Sequence, residues 1–166
     1  MSGARAVQAV LIPNEPKTYE LDSVRFRVVR EADPRRGRAM SQPEEVVAFI
    51  RDAGLIPDDA REHFGLLMLN SQNGFVAHHE VSVGTLSASL VHPREVFGPA
   101  LRIMGVASIL LYHNHPSGDP TPSREDLRLT RQLVECAKIL DLRIHDHLII
   151  GNDTERFTSL AQQGAM

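Results

Sequence analysis

The alternation of apolar and polar residues divides the chain into strand-like and helix-like segments. From residue 41 onward the predicted elements are a helix over 41–54, strands over 64–70 and 74–84, a helix over 92–105, a strand over 107–114, a helix over 123–140 and a strand over 143–151. The tail RFTSLAQQG predicts one more short strand and a helical turn. Strands that alternate with helices predict a single α/β domain with three layers, a mixed central sheet flanked by helices.

Local signals refine these elements. Ser41 is the predicted N-cap of the first helix and Gly54 its end, while Gly74 closes a hairpin between the next two strands. Pro99 is predicted to kink the second helix or divide it into two pieces, and Gly105 to end it. The run ASILLYHN (107–114) is typical of a buried central strand. The predicted apolar faces of the first and third helices comprise Val46, Val47 and Ile50, and Leu127, Thr130, Val134 and Ala137, respectively.

The first forty residues differ from the rest of the chain. Strand-like pieces over 7–12 and 19–29 are separated by polar residues and prolines. We therefore expect residues 1–40 to form an appended arm or hairpin with a flexible connector near 31–40, and residues 41–166 to form the main domain.

Composition limits the classes of protein to which the chain can belong. Its 166 residues are enough for one domain with a core, and 42% apolar with 23% charged residues is ordinary for a globular protein. The single cysteine, Cys136, cannot form an internal disulfide, and its apolar neighbours predict a buried, inert thiol. Because neither a signal sequence nor a membrane-length apolar run is apparent, the expected location is the cytoplasm, with no membrane partner.

The net charge of −3 gives no global positive field, so binding to nucleic acid is expected to be weak. Arg35, Arg36 and Arg38 form a short basic cluster beside a proline and a glycine. Such a cluster is more typical of a solvated loop than of a DNA contact.

Two histidines at the end of the predicted central strand indicate a metal site. His113 and His115 project to the same side because side-chain direction in a strand repeats every two residues. A catalytic zinc site uses three protein ligands, of which one can be a carboxylate, and Asp126 in the first turn of the next helix is a candidate. The Gly- and Pro-rich loop between them can return the chain to the strand end. A structural alternative is that Ser123 and Asp126 form only a helix capping box.

Other histidines carry weaker signals. His145 and His147 form a second H-x-H pair, which could also face one way, but no third ligand follows at a suitable spacing. His78 and His79 are adjacent, face opposite sides of a strand and are predicted to lie on the protein surface or a sheet face. His63 is predicted to face solvent, although it could line a cleft.

Together these residues resemble a known family signature. The pattern is H-x-H-P from His113 and then S-x-x-D from Ser123, with the seven residues 116–122 between His115 and Ser123. It resembles the signature of the JAMM (JAB/MPN) metalloprotease superfamily. The segment from His113 to Gly151, with GTL (84–86) and HPREVF (92–97), is similar to the RadC-type branch in particular. The resemblance covers residues 41–163 and includes no helix-hairpin-helix DNA-binding module, which RadC-type proteins often carry.

The resemblance implies a JAB/MPN fold with a cytidine-deaminase-like layout, and one Zn²⁺ per chain bound by His113, His115 and Asp126. It also implies a catalytic glutamate, for which Glu62 is the preferred residue and Glu80 the alternative. Ser123 is similar to the family serine that stabilises the oxyanion. The residues expected next to the ligands, in supporting roles, are Asn114, whose side chain should point away from the metal, Asp146 and His147.

These expectations favour a zinc-dependent hydrolase that cleaves peptide or isopeptide bonds in a protein or peptide substrate. The alternatives are a DNA-repair-associated protein or metal-dependent nuclease of the RadC type, and a non-catalytic interaction module. The letters HNH do not indicate an HNH nuclease, because the residues of that motif are dispersed along a ββα-metal unit. A zinc deaminase is excluded because one cysteine cannot supply P-C-x-x-C, and H-E-x-x-H is absent.

Overall fold

The computed structural model describes residues 17–21, 24–28, 35–57, 60–84, 91–151 and 156–166. Its strands are β1 (Lys17–Leu21), β2 (Val24–Val28), β3 (Glu62–Leu69), β4 (Phe75–Gly84), β5 (Ser108–His115), β6 (Arg143–Gly151) and β7 (Phe157–Ser159). Its helices are α1 (Pro43–Asp52), α2 (Pro93–Arg102) and α3 (Arg124–Ile139). In the part of the chain so described, no helix has the length and apolar character needed to cross a membrane.

The strands form one sheet in the order β1-β2-β4-β3-β5-β6-β7. Every neighbouring pair is antiparallel except β5 and β6, which are parallel, so the sheet is mixed. One apolar core lies between the sheet and α1, and a second lies between the sheet and the pair α2 and α3. The predicted α/β fold with a mixed sheet flanked by helices is therefore confirmed.

Strand β5 is buried on both faces, as its unbroken apolar run predicts. Leu110 and Tyr112 contribute to the core under α1, whereas Ile109 and Leu111 contribute to the core under α2 and α3. We call these two sides of the sheet the α1 face and the α3 face. Since β3 and β6 flank β5, the residues at its carboxyl end lie in the interior of the sheet.

The helices correct several details of the prediction. The N-cap of α1 is Gln42 rather than Ser41, because Pro43 is the first helical residue. Glu45 accepts hydrogen bonds from the backbone N–H groups of both Ser41 and Gln42 at 3.3 Å. Helix α2 ends at Arg102, before Gly105, and contains Pro99 within one continuous helix rather than between two pieces.

The third helix begins and ends as predicted, with Ser123 as N-cap and Leu140 as C-cap, but its buried face is rotated. Leu127 and Val134 are only half-buried. The residues that face the sheet are Asp126, Leu129, Thr130, Leu133 and Ala137. The rotation follows from Asp126, which is directed inward, since residues three and four positions further along must then share its face.

The amino-terminal region also differs from the prediction. The single strand predicted over 19–29 is two strands, β1 and β2, which pair with each other and extend the sheet beyond β4. Residues 37–40, predicted to be a flexible connector, are hydrogen-bonded to the β3–β4 turn, with the Met40 N–H donating to the Asn73 carbonyl at 3.0 Å. The strand predicted over 7–12 lies outside the described residues, and the division of the chain at residue 40 stays a prediction.

Strand β6 contains an extra residue near its start. Ile109 of β5 pairs with Ile144 of β6, and Leu111 of β5 pairs with His147 of β6. From the first pair to the second, β5 advances by two residues and β6 by three. This β-bulge reverses the alternation of side chains. Consequently His145 contacts Ser108 on the α1 face, and His147 contacts His113 on the α3 face, so the prediction that both could face one way is wrong.

Candidate metal centre

The carboxyl end of β5 brings two imidazoles together. His113 is fully buried and His115 is half-buried, and their Nε2 atoms lie 3.1 Å apart. The regular alternation of the strand places both rings on the α3 face, as the sequence predicted. Nδ1 of His115 lies 2.7 Å from the backbone carbonyl oxygen of Asp119, in the loop that follows the strand.

Asp126 completes this group from the first turn of α3. Its Oδ1 lies 3.3 Å from Nε2 of His113, and its Oδ2 lies 3.5 Å from Nε2 of His115. Burial opposes the charge of the carboxylate, but hydrogen bonds with His113 and His115 hold the pKa of Asp126 well below its usual range. In return, hydrogen bonding with Asp126 raises the pKa of His115.

Ser123 and Asp126 also form the predicted helix capping box. Oδ2 of Asp126 accepts from the Ser123 backbone N–H at 2.7 Å, and Oγ of Ser123 accepts from the Asp126 backbone N–H at 3.1 Å. The capping box therefore holds the carboxylate in the orientation in which it meets the two histidines.

Of the two candidate glutamates, the structure brings Glu62 to the histidines. Oε1 of Glu62 lies 3.9 Å from Nε2 of His115, and donor atoms of Glu62, His113 and His115 all lie within 4.8 Å of one another. Glu62 is the first residue of β3 rather than a residue that precedes the strand. Glu80 instead contacts Nδ1 of His63 at 2.8 Å.

Asn114 points away from the histidines, as predicted, and binds the start of β3. It is 1% exposed. Its Oδ1 accepts from the His63 backbone N–H at 2.7 Å, and its Nδ2 donates to the Arg61 carbonyl at 3.0 Å. These two bonds lie on either side of Glu62 in the chain, so Asn114 fixes the backbone that carries this carboxylate.

Asp146 and His147 have distinct surroundings. Asp146 lies at the β6 bulge and accepts hydrogen bonds from the His147 and Ala161 backbone N–H groups and from the Ser159 hydroxyl, which connects the bulge to the turn after β7. His147 is fully buried, and its Nε2 lies 2.8 Å from Nδ1 of His113. Burial lowers the pKa of His147 well below its ordinary value.

Two residues near the histidines escaped the sequence analysis. Thr130, placed only on the apolar face of α3, contacts Nδ1 of His147 at 2.6 Å. Its position four residues after Asp126 was the available signal, because this spacing puts both side chains on one helix face. Asp119 supplies a backbone carbonyl, which carries no signal in its residue type.

The other reactive residues lie outside this group. His63 is buried, with Nδ1 2.8 Å from Oε1 of Glu80, and the prediction that it faces solvent is wrong. His78 contacts the Tyr112 hydroxyl at 2.6 Å and is half-buried. His79 is buried, as a residue on the opposite side of β4. Cys136 packs against the α3-face core but is half-buried, less than predicted.

Comparison with known proteins identifies the family. Residues 40–165, which contain α1–α3 and β3–β7, match the model of the RadC-like JAB domain. A UPF0758 protein of Desulforudis audaxviator is 41% identical over 166 residues, which cover 98% of this chain and 70% of that protein. UPF0758 proteins of Desulforamulus reducens and Moorella thermoacetica are 46% and 47% identical over 76% and 80% of this chain. The chain spans a little over half of each of these two, 58%. It therefore belongs to the RadC-like JAB domain family.

Proposed function

We propose that this chain is a metal-dependent hydrolase of peptide or isopeptide bonds, with one Zn²⁺ bound by His113, His115 and Asp126. The observation that carries the proposal is the spacing of the donor atoms, 3.1, 3.3 and 3.5 Å. Ligand atoms that surround a tetrahedral zinc ion at bond lengths of about 2.0–2.1 Å lie about 3.3 Å from one another. Family membership supports the same proposal, because JAB-domain proteins can be metal-dependent hydrolases.

The chemistry of the donor set fits a divalent cation. The Asp119 carbonyl can only accept a hydrogen bond, so Nδ1 of His115 carries the proton and Nε2 of the neutral ring presents a lone pair. The same nitrogen faces a buried carboxylate and a second imidazole, so it donates to Asp126 when it carries a proton and can bind a cation when it does not. Two imidazole nitrogens and one carboxylate form the ligand set of many catalytic zinc sites.

The exposure of the site indicates where a substrate approaches. The side chains of His113 and Asp126 are 0% and 2% exposed, whereas those of His115 and Glu62 are 15% and 18% exposed. The open side of the centre is therefore the side on which Glu62 lies. A zinc ion bound here would lower the pKa of a water ligand and polarise a carbonyl oxygen.

Glu62 acts as the general base and then the general acid. Its carboxylate accepts a proton from the attacking water and delivers it to the leaving nitrogen of the amide. Asn114 keeps Glu62 in place for both transfers through its hydrogen bonds to the backbone on either side. This role requires that Glu62 be dispensable for metal binding.

Ser123 assists from the helix N-terminus. Its Oγ accepts a hydrogen bond from the Asp126 backbone N–H through a lone pair, so the hydroxyl retains its own proton to donate. The substrate carbonyl oxygen gains negative charge as the tetrahedral intermediate forms, and Ser123 donates to it. The substrate is a protein or peptide.

A combined metal and cleavage assay tests this proposal. Purified protein is expected to contain one zinc per chain, which His113→Ala and Asp126→Ala abolish and His145→Ala, on the other sheet face, preserves. Screening against peptide and isopeptide libraries is expected to yield a substrate whose cleavage Glu62→Gln abolishes while zinc is retained. Wild-type protein without stoichiometric zinc would contradict the proposal. Cleavage of single-stranded or duplex DNA that requires Glu62 would favour the nuclease instead.

A further inference from the structure

A closed chain of contacts begins and ends at Asp126. The carboxylate of Asp126 lies 3.3 Å from Nε2 of His113, and Nδ1 of the same ring lies 2.8 Å from Nε2 of His147. Nδ1 of His147 lies 2.6 Å from Oγ1 of Thr130, and that hydroxyl donates to the Asp126 backbone carbonyl at 2.6 Å. Asp126 thus contacts the proposed metal centre directly with its side chain and indirectly with its main chain.

The types of donor and acceptor in this chain fix the position of each proton. A carbonyl oxygen only accepts, so the single hydroxyl proton of Thr130 points to Asp126. Oγ1 of Thr130 must then accept from Nδ1–H of His147, whose Nε2 is left as an acceptor. Nδ1 of His113 consequently donates to His147, and in the neutral ring Nε2 of His113 presents its lone pair to the metal position.

We propose that Thr130 is a positioning residue for the metal centre, which acts through His147 to hold His113 in the tautomer that can bind a divalent cation. The proposal rests on the proposed metal site, but it does not depend on the reaction catalysed there. His115 obtains the same tautomer directly from the Asp119 carbonyl. The two histidine ligands are therefore oriented by independent supports.

Burial makes the Thr130 hydroxyl difficult to replace. Thr130, His147 and His113 are each 0% exposed, so bulk water does not reach the groups that this hydroxyl connects. A β-branched residue in a helix has few side-chain rotamers, and one of these directs the threonine hydroxyl to the carbonyl four residues earlier. Thr130 therefore has a defined hydrogen-bonding direction before any metal binds.

Zinc affinity measured by competition with a chromogenic chelator tests this role. Thr130→Val keeps the shape of the side chain and removes the hydroxyl, and it is expected to weaken zinc binding about 10- to 100-fold, the usual effect of losing such a support. Thr130→Ser restores the hydroxyl and is expected to restore the affinity. Ser108→Ala is the matched control, because it removes a buried hydroxyl that contacts His145 on the opposite sheet face and should leave zinc affinity unchanged.

The outcomes separate this inference from the proposed function. If the wild type binds no zinc, the proposed metal site fails as a whole. If the wild type binds zinc and Thr130→Val binds it equally well, only the role of Thr130 is overturned. The same holds if Thr130→Ser or Ser108→Ala weakens zinc binding as much as Thr130→Val does. A measurement on the zinc-loaded wild type needs no variant: long-range ¹H–¹⁵N correlation spectra should show His147 with its proton on Nδ1, and a proton on Nε2 would overturn the inference.

Discussion

Replacing Asn114 by alanine tests how firmly the start of β3 is held. The side chain is buried and makes two hydrogen bonds to the backbone of the strand that carries Glu62. Alanine removes both bonds and leaves their backbone partners in place. The change adds no charge and introduces no larger group, so its effect reports the loss of these bonds.

The magnitude follows from the surroundings of the two partners. The His63 backbone N–H is buried, and a buried donor without a partner costs about 1–3 kcal/mol. The Arg61 carbonyl belongs to an exposed residue and can bind water, so the loss of its hydrogen bond from Asn114 costs about 0.5–1.5 kcal/mol. We therefore expect Asn114→Ala to lower the free energy of unfolding by about 1.5–4.5 kcal/mol.

Urea denaturation followed by circular dichroism measures this difference, with the slope of the transition as a check on two-state unfolding. Asn70→Ala is the matched control. Asn70 also makes two hydrogen bonds to the backbone, accepting both from the Gln72 and Gly74 N–H groups, but it is half-buried in the β3–β4 turn. Because water can replace part of what is lost there, we expect a cost of about 1 kcal/mol.

Equal destabilisation by the two variants would refute this reasoning, because the argument depends on burial at Asn114 alone. A second readout concerns the site. Asn114→Ala should retain one zinc per chain, since its side chain contacts none of the proposed ligands, but should slow any cleavage that depends on Glu62. Loss of zinc would show that Asn114 acts on the ligands instead.

Three further predictions concern the metal centre. Gly151→Ala places a Cβ 2.5 Å from the Gly118 carbonyl oxygen and should displace the loop that supports His115, so chelator competition should show zinc binding weakened about tenfold or more. Asp126 raises the pKa of His115, so a proton competes with zinc for this ring even above pH 6.5, the ordinary pKa of histidine. The apparent zinc affinity should therefore rise with pH across about pH 6–8. An affinity that is constant over this range would contradict the assignment of His115 as a ligand. Free zinc at about 100 times its Kd should raise the free energy of unfolding by about 2.7 kcal/mol, whereas Asp126→Ala should show no such gain in thermal or urea unfolding.

Sequence patterns predicted the parts of this structure that depend on near neighbours. The apolar run before His113 predicted a buried strand, and alternation placed His115 on the same side. The capping signal at Ser123 predicted the first turn of α3, which fixes where Asp126 lies. These signals act over a few residues, so they are readable without the fold.

The remaining features depend on partners far away in the chain. The buried His63 contacts Asn114 through its backbone N–H and Glu80 through its ring, and these partners are 51 and 17 residues distant. Nothing beside His63 in sequence indicates either contact. The supporting contact between Thr130 and His147 joins a helix to a strand across 17 residues. The opposite orientations of the two β6 histidines depend on how that strand pairs with β5, which alternation within β6 does not reveal.

The β6 bulge makes the proposed metal centre sensitive to a shift of one residue in strand pairing. Pairing of β6 without the extra residue, continued from Ile144, would turn His147 to the α1 face, the face on which His145 already lies. The sheet would survive such a slip with its hydrogen bonds, but His113 would lose its partner. The three hydrogen bonds accepted by Asp146 oppose the slip, because they anchor the extra residue to the turn after β7. With the proposed zinc site, a misregistered molecule would therefore give the spectrum of a folded protein while it bound zinc poorly, and zinc content would be the more stringent measure of correct folding.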